Sequence, residues 1–284
     1  ASITAGYDWQ SRQDLNDDGW ADMPGYERFT VRPRLFWDGV DGSKALLTFG
    51  AMAEQRDGGT MSGATAPDGQ PFVQAQRSRR YDVGLTAETP LEGIGLLHLR
   101  ASGVTQYHRH RFGGQLENDR HRTGLAEASV GGEAGATTWL AGAAIQADDY
   151  RSKAYSAFDY SYTVPSLFVQ GEQKLADRLT LARSARWDGH SDYGSRVSPR
   201  LSALYKPGPW TIRASLGRGF YAPTPFVEEI EANGLSHLLP YAKLKAEVAD
   251  SASIDFGYVR GPLEANVSLF ASNIDNAEIG RAHV

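Results

Sequence analysis

Two short stretches combine residue types and spacings that could do chemistry. Asp14-Leu-Asn-Asp-Asp-Gly-Trp-Ala-Asp22 has the D-x-N-x-D-G-x-x-D spacing of a calcium loop. Asp14, Asn16, Asp18 and Asp22 could set oxygens around one Ca2+, with Gly19 permitting the sharp turn. Gly25 stands where a full EF-hand has its bidentate Glu, so an Asx-rich solvated turn is the plain alternative. Tyr107-His-Arg-His-Arg111 places His108 and His110 on one face of a strand at the base of a loop. With Tyr107 they could contact an anionic ligand or a metal chelate, or simply form the wet end of a strand.

Other chemistry is excluded more simply. Glu228 and Glu229 are adjacent and would point apart on a strand. There is no Gly-x-Ser-x-Gly elbow and no P-loop, so the chain is not expected to be an enzyme. Arg77, Arg79 and Arg80 form a short basic cluster, expected to be solvated or to face lipopolysaccharide. With a net charge of -5 the chain is not expected to bind nucleic acid. It has no cysteine, which rules out disulfides and thiolate metal ligands.

These residues must be positioned by strands. Trp210, Ile212, Ala214 and Leu216 alternate with Thr211, Arg213, Ser215 and Gly217, and the same period of two recurs along the chain. About thirteen strands are expected, among them Ser2 to Gln10, Lys44 to Glu54, Ile94 to Tyr107, Arg120 to Val130 and Leu263 to Ala271. Most exceed the ~5–6 residues usual in soluble sheets. The joints alternate. Short ones such as Gly39 to Gly42, Thr89 to Gly93 and Lys206 to Pro209 are followed by long ones such as Ser11 to Gly25 and Arg56 to Gln70. A basic loop is expected near His110 to Asn118, and one helical turn could lie at Phe226 to Ala232. No apolar run approaches the ~20 residues of a transmembrane helix, but a membrane barrel needs only ~9–11 per strand. The alternating joints and faces predict an all-β, antiparallel up-and-down transmembrane barrel, with short periplasmic turns and long extracellular loops. Arg183 breaks the pattern by sharing a face with Leu179 and Leu181.

Gly217-Arg-Gly-Phe-Tyr-Ala-Pro-Thr-Pro-Phe-Val-Glu-Glu229 resembles the Gly-x-Gly-Phe-Arg-Ala-Pro-Thr-x-x-Glu-Leu signature of TonB-dependent outer-membrane receptors. Gly217, Gly219, Phe220, Ala222, Pro223, Thr224 and Glu229 carry the match, and Tyr221 replaces the usual Arg. Leu239 to Glu247 is similar to the family's Asn-Pro-Asn-Leu-Lys-Pro-Glu, and Ser251 to Gly257 to its following strand. In the signature the glycines and then Pro223 and Pro225 are expected to end the strand after Leu216.

The resemblance implies residues 1–278 are part of a barrel of roughly 22 strands, with the plug and last strands outside this sequence. It implies the cell outer membrane as the location, with its lipid and lipopolysaccharide as neighbours. It also implies uptake of a scarce metal chelate, energised by the TonB complex through the plug. A ferric siderophore is the first expectation. Haem, cobalamin or an oligosaccharide stay open, as does a passive porin-type channel. No resident cofactor is required apart from the Ca2+ that the Asp14 loop could hold. His237 lies where haem receptors of this family place a His between two motif boxes, and Tyr221 lies within the signature, so both are ligand-binding candidates. Ile279 to Val284 back-translates to a string resembling a sequencing-adapter read and is expected to be an artefact.

Overall fold

A computed structural model of the chain describes residues 1–225, 235 and 244–277. Glu229, His237, the Phe226 to Ala232 turn and the tail from Ile279 lie outside the described residues. The described residues form one 13-stranded sheet whose strands are neighbours in sequence order. The strands are β1 Ser2–Gln10, β2 Gly25–Asp38, β3 Lys44–Gly59, β4 Val73–Leu91, β5 Gly95–Phe112 and β6 Gln115–Ala134. They continue with β7 Thr137–Ser152, β8 Tyr160–Ala176, β9 Leu179–His190 and β10 Gly194–Tyr205. β11 Trp210–Tyr221, β12 Glu247–Arg260 and β13 Leu263–Asp275 complete the sheet. Every neighbouring pair is antiparallel, as in the β1–β2, β5–β6 and β12–β13 ladders. Ser156–Phe158 forms a short 3-10 turn between β7 and β8. No helix among the described residues is long and apolar enough to cross a membrane, which says nothing of crossing by strands.

The two ends of the sheet differ. At one end, strands meet in tight turns such as Gly261, whose φ of 59° suits a residue without a side chain. The Asp41 carboxylate at another such turn accepts the Ser43 backbone N–H at 3.0 Å and the Ser43 hydroxyl at 2.9 Å. Those bonds hold its pKa below the ordinary value. At the other end the connections are longer and pack on one another. Met61 N–H donates to Gly19 O at 2.8 Å, and the Trp20 and Phe72 rings lie 5.5 Å apart. Gly59 joins this packing at φ 84°, where a Cβ would stand 2.1 Å from Phe72 O.

Register sorts every strand into two faces. Leu201 pairs with Leu216 and Leu216 with Ala252, and Ala252 with Ala271, one continuous apolar row. Leu216, Leu201, Val169, Leu167 and Phe29 on this face are all about half exposed. The opposite face is polar, and its charges pair both along and between strands. Arg56 meets Glu54 at 2.8 Å, Arg32 meets Asp82 at 3.2 Å and Arg186 meets Asp188 at 2.8 Å. Leu235, between β11 and β12, reaches Glu117 on β6 across the polar face. The sheet therefore curls round that face, and the apolar face is outward. This is the inverse of a soluble core, as expected for a wall between lipid and a wet lumen.

The structure corrects two expected strand ends and shows what accommodates Arg183. The β5–β6 joint is a hairpin at Gly113 and Gly114, with paired strands running through His110 to Asn118 where a loop was expected. β11 passes Gly217 and Gly219 and ends at Tyr221. Glycine lacks a side chain but keeps its N–H, so the ladder survives until Pro223. Arg183, on the outward face, sits opposite Gly171, where a Cβ would lie 3.8 Å from the Arg183 Nε. The missing side chain leaves the guanidinium stem room.

Candidate functional site

The inward face near the longer connections carries a wall of rings and carboxylates. Five strands and one connection supply it, because inward positions of neighbouring strands fall opposite one another. His108 pairs with Asp119 and His110 with Glu117 across β5 and β6. His121 pairs with Tyr150 across β6 and β7, and Tyr150 with Tyr160 across β7 and β8. Tyr162 then stacks near His190 at 4.8 Å, and His190 near Tyr193 at 4.9 Å.

The polar groups are wired together. His108 Nδ1 lies 3.0 Å from Asp119 Oδ1, and its Nε2 meets the Gln106 amide. His121 Nε2 lies 2.7 Å from Asp148 Oδ1, which also accepts the Tyr160 hydroxyl at 3.2 Å. Such shared acceptors fix ring orientation and leave edges and faces for a guest. Deeper, Arg186 donates to Asp188 at 2.8 Å and to Ser166 Oγ at 2.7 Å.

A residue from each of two connections covers the wall. Phe158 and Leu235 are each 2% exposed and pack with Tyr150, Tyr160 and Tyr162. Tyr193 donates its hydroxyl to Pro223 O at 2.8 Å. This contact ties the signature segment to the connection between β9 and β10. Pro223 is fully buried.

The sequence candidates fall into separate places. His108 and His110 do share the inward face. With Asp119 they bring one ligand atom each to within 4.8 Å of one another, a geometry able to hold a cation. Among the described residues it is the one such group found. Tyr107 lies on the outward face, opposite Arg79 and Arg120, so the pleat separates it from the two histidines. Tyr221 is inward and opposite Glu247 at the end of β11. Gly217 lies opposite Arg200 and Ser251, and a Cβ at Gly219 would meet nothing within 4 Å. Phe220 pairs with Val248, while Ala222, Pro223 and Thr224 lead out of the strand.

The Asp14 loop turns several of its oxygens on its own backbone, while Asp14 Oδ1 is enclosed without a hydrogen-bond partner among the described residues. Asp14 Oδ2 accepts Gly19 N–H at 2.8 Å, Asp18 Oδ1 accepts Trp20 N–H at 2.8 Å, and Asp22 Oδ2 accepts Leu15 N–H at 2.7 Å. Asn16 Oδ1 accepts Asp18 N–H at 3.2 Å. The Asn16 and Asp18 bonds are those of Asx-turns, and the Asp14 and Asp22 bonds close the loop over longer spans. Sequence reasoning missed His121, Asp148, Tyr150, Tyr160, Tyr162 and His190. Their period-two spacing was visible, but nothing in one strand shows which residues its neighbour sets beside them.

A family model described as "TonB dependent receptor-like, beta-barrel" matches residues 2–278. The chain is 28% identical over 130 residues to the iron-regulated outer membrane virulence protein of Vibrio cholerae serotype O1, covering 43% of this chain and 20% of that protein. Its fold is similar to the siderophore receptor PirA from Acinetobacter baumannii, with a TM-score of 0.71 at 15% identity, covering 97% of this chain and 47% of that one. The FrpB iron transporter from Neisseria meningitidis has a TM-score of 0.69 at 14% identity, covering 97% and 50% of the two chains. The chain thus spans about half the length of these solved structures and a fifth of the matched curated relative.

Proposed function

The chain belongs to the TonB-dependent receptor-like β-barrel family of the outer membrane, and from that premise we propose that its protein imports a ferric siderophore with energy from the TonB complex. The observation that carries this reading is the inward wall running from His108 and His110 on β5 to Tyr193 beyond β9. A ferric chelate is large, flat-sided and rich in oxygen. Tyr and His rings offer it stacking faces, and their N–H and O–H groups offer donors at fixed positions. The wall lies under the longer connections, where a ligand arriving from outside would first meet the barrel. The paired lumen charges below, such as Arg32 with Asp82, suit a passage filled by water or a plug. The names of the similar proteins, siderophore receptor and iron transporter, support iron as the cargo.

The test is uptake of a radiolabelled metal (iron, or cobalt for cobalamin) by iron-starved cells that carry the full-length protein as their one receptor. Ferric catecholate, ferric hydroxamate, haem and cobalamin are supplied in turn, with and without TonB. Uptake of a ferric siderophore that stops without TonB is expected. Uptake of haem or cobalamin alone would replace the cargo, and uptake indifferent to TonB would identify a passive channel.

A further inference from the structure

We propose that the outward face of β4 to β7 holds a binding site for a phosphorylated lipid of the outer leaflet, lipopolysaccharide in its lipid A part. The register stacks the site in rows. Arg79 lies opposite Tyr107, Tyr107 opposite Arg120, and Arg120 opposite Arg151. One row higher, Arg77 lies opposite Arg109. One row lower, Arg122 lies opposite Asp149. Asp149 is the one carboxylate on this face of β4 to β8 among the described residues, and it is shared by Arg120 at 3.3 Å and Arg151 at 2.9 Å. Arg77, Arg79, Arg109 and Arg122 are exposed and make no ion pair among the described residues. Nε of Arg120 is enclosed without a hydrogen-bond partner there.

Inward arginines of the same strands behave differently. Arg80 meets Asp82 at 3.7 Å, and Arg100 meets Glu127 at 3.7 Å. Farther round the outward face, Arg218 is matched by Asp250 at 2.7 Å. Outward arginines without an ion pair among the described residues are thus concentrated in one block of strands, with Arg183 on β9 standing apart from it.

Its height on the wall identifies the partner. Below it on β4 the outward residues run from Thr89 to Tyr81 without a charge, and on β7 from Trp139 to Ala147. Each run matches the ~9–11 residues that cross a hydrocarbon core. The arginines therefore begin where the headgroups begin. Beneath them Gly103, Gly124 and Ala147 sit in one row, flanked by Val83 and Thr163. Their small side chains leave a groove of about 960 Å³, with Arg120, Arg122 and Arg151 at its rim and Tyr81 and Phe49 along its side. A phosphate above and an acyl chain below fit this order of charge and groove. Guanidinium forks grip phosphate oxygens in pairs, and they tolerate partial burial better than an ammonium.

The experiment uses the complete protein, folded in detergent and then placed in phosphatidylcholine vesicles with lipid A or with dephosphorylated lipid A. Retained lipid is read by native mass spectrometry. The wild type is expected to retain lipid A, and loss of its phosphates to abolish retention. The combined R77Q, R79Q, R109Q and R122Q variant is expected to bind lipid A weaker by on the order of 100-fold. Gly124→Leu has room to extend, since the nearest atom to its Cβ is Ser102 O at 3.8 Å. It fills the groove and is expected to weaken binding with every arginine intact, whereas the inward control Arg213→Gln is expected to retain lipid A. Heat-modifiable mobility reports folding, and the pair R77Q and R109Q serves if the fourfold variant misfolds. Undiminished retention by a folded arginine variant would overturn the site. Displacement of lipid A by inorganic phosphate at buffer concentration would also overturn it, since the lipid would then add nothing.

Discussion

Leu235 donates its backbone N–H to Glu117 Oε2 at 2.9 Å, joining positions 118 residues apart. Glu117 is 3% exposed, so the bond is made out of water. One carboxylate on β6 thereby holds Leu235 against the ring wall.

Glu117→Ala should release Leu235. A hydrogen bond to a charged group contributes roughly 1.5–3 kcal/mol. The barrel ladder does not depend on it, so global stability should change little. Limited proteolysis should cut between Pro225 and Leu244 faster in the variant, and equal cutting rates would argue that the bond carries no anchoring.

Asp148 joins His121 at 2.7 Å and Tyr160 at 3.2 Å, so the three should act as a unit. Asp148→Ala strands two polar partners and should destabilise by about 1–3 kcal/mol, whereas Tyr160→Phe alone should cost less. The double variant should fall short of the sum by ~0.5 kcal/mol or more. Urea unfolding of the inserted protein measures the cycle, and strict additivity would mean that the three do not form a network.

Gly59 and Gly63 both have a left-handed backbone, at φ 84° and 86°. A Cβ at Gly59 would lie 2.1 Å from Phe72 O, while one at Gly63 would meet nothing within 4 Å. Both alanine variants bear backbone strain of roughly 1 kcal/mol. Gly59→Ala should add a clash and cost at least ~1 kcal/mol more. Matched denaturation curves for the two variants compare the effects directly.

Leu216 faces outward and its neighbour Ser215 inward, opposite Ser202. Leu216→Arg should therefore cost about 2–4 kcal/mol in a bilayer, and Ser215→Arg far less. Equal costs, read by reversible unfolding in vesicles, would contradict the assignment of faces.

Much of this was legible in one dimension. Period two fixed the strands, because side chains of a strand must alternate. The alternation of short and long joints fixed the up-and-down order, since consecutive strands can then pair only with their neighbours. The motif around Phe220 carried the family. The site was less legible. His108 and His110 were visible as a pair, and their spacing placed them on one face. Their partners were not, because Asp119 and Glu117 meet them through the register of β5 on β6.

Tertiary structure alone decided the rest. Alternation within β4 already parts Arg80 from Arg77 and Arg79, but only the register sets those two in a block with Arg109 and Arg120. Alternation likewise parts Tyr107 from the histidines beside it, and the register sets it between Arg79 and Arg120. A sequence determines which residues share a face of their own strand. It does not state how far each strand is slid against the next, and that slide sets which charges and rings become neighbours.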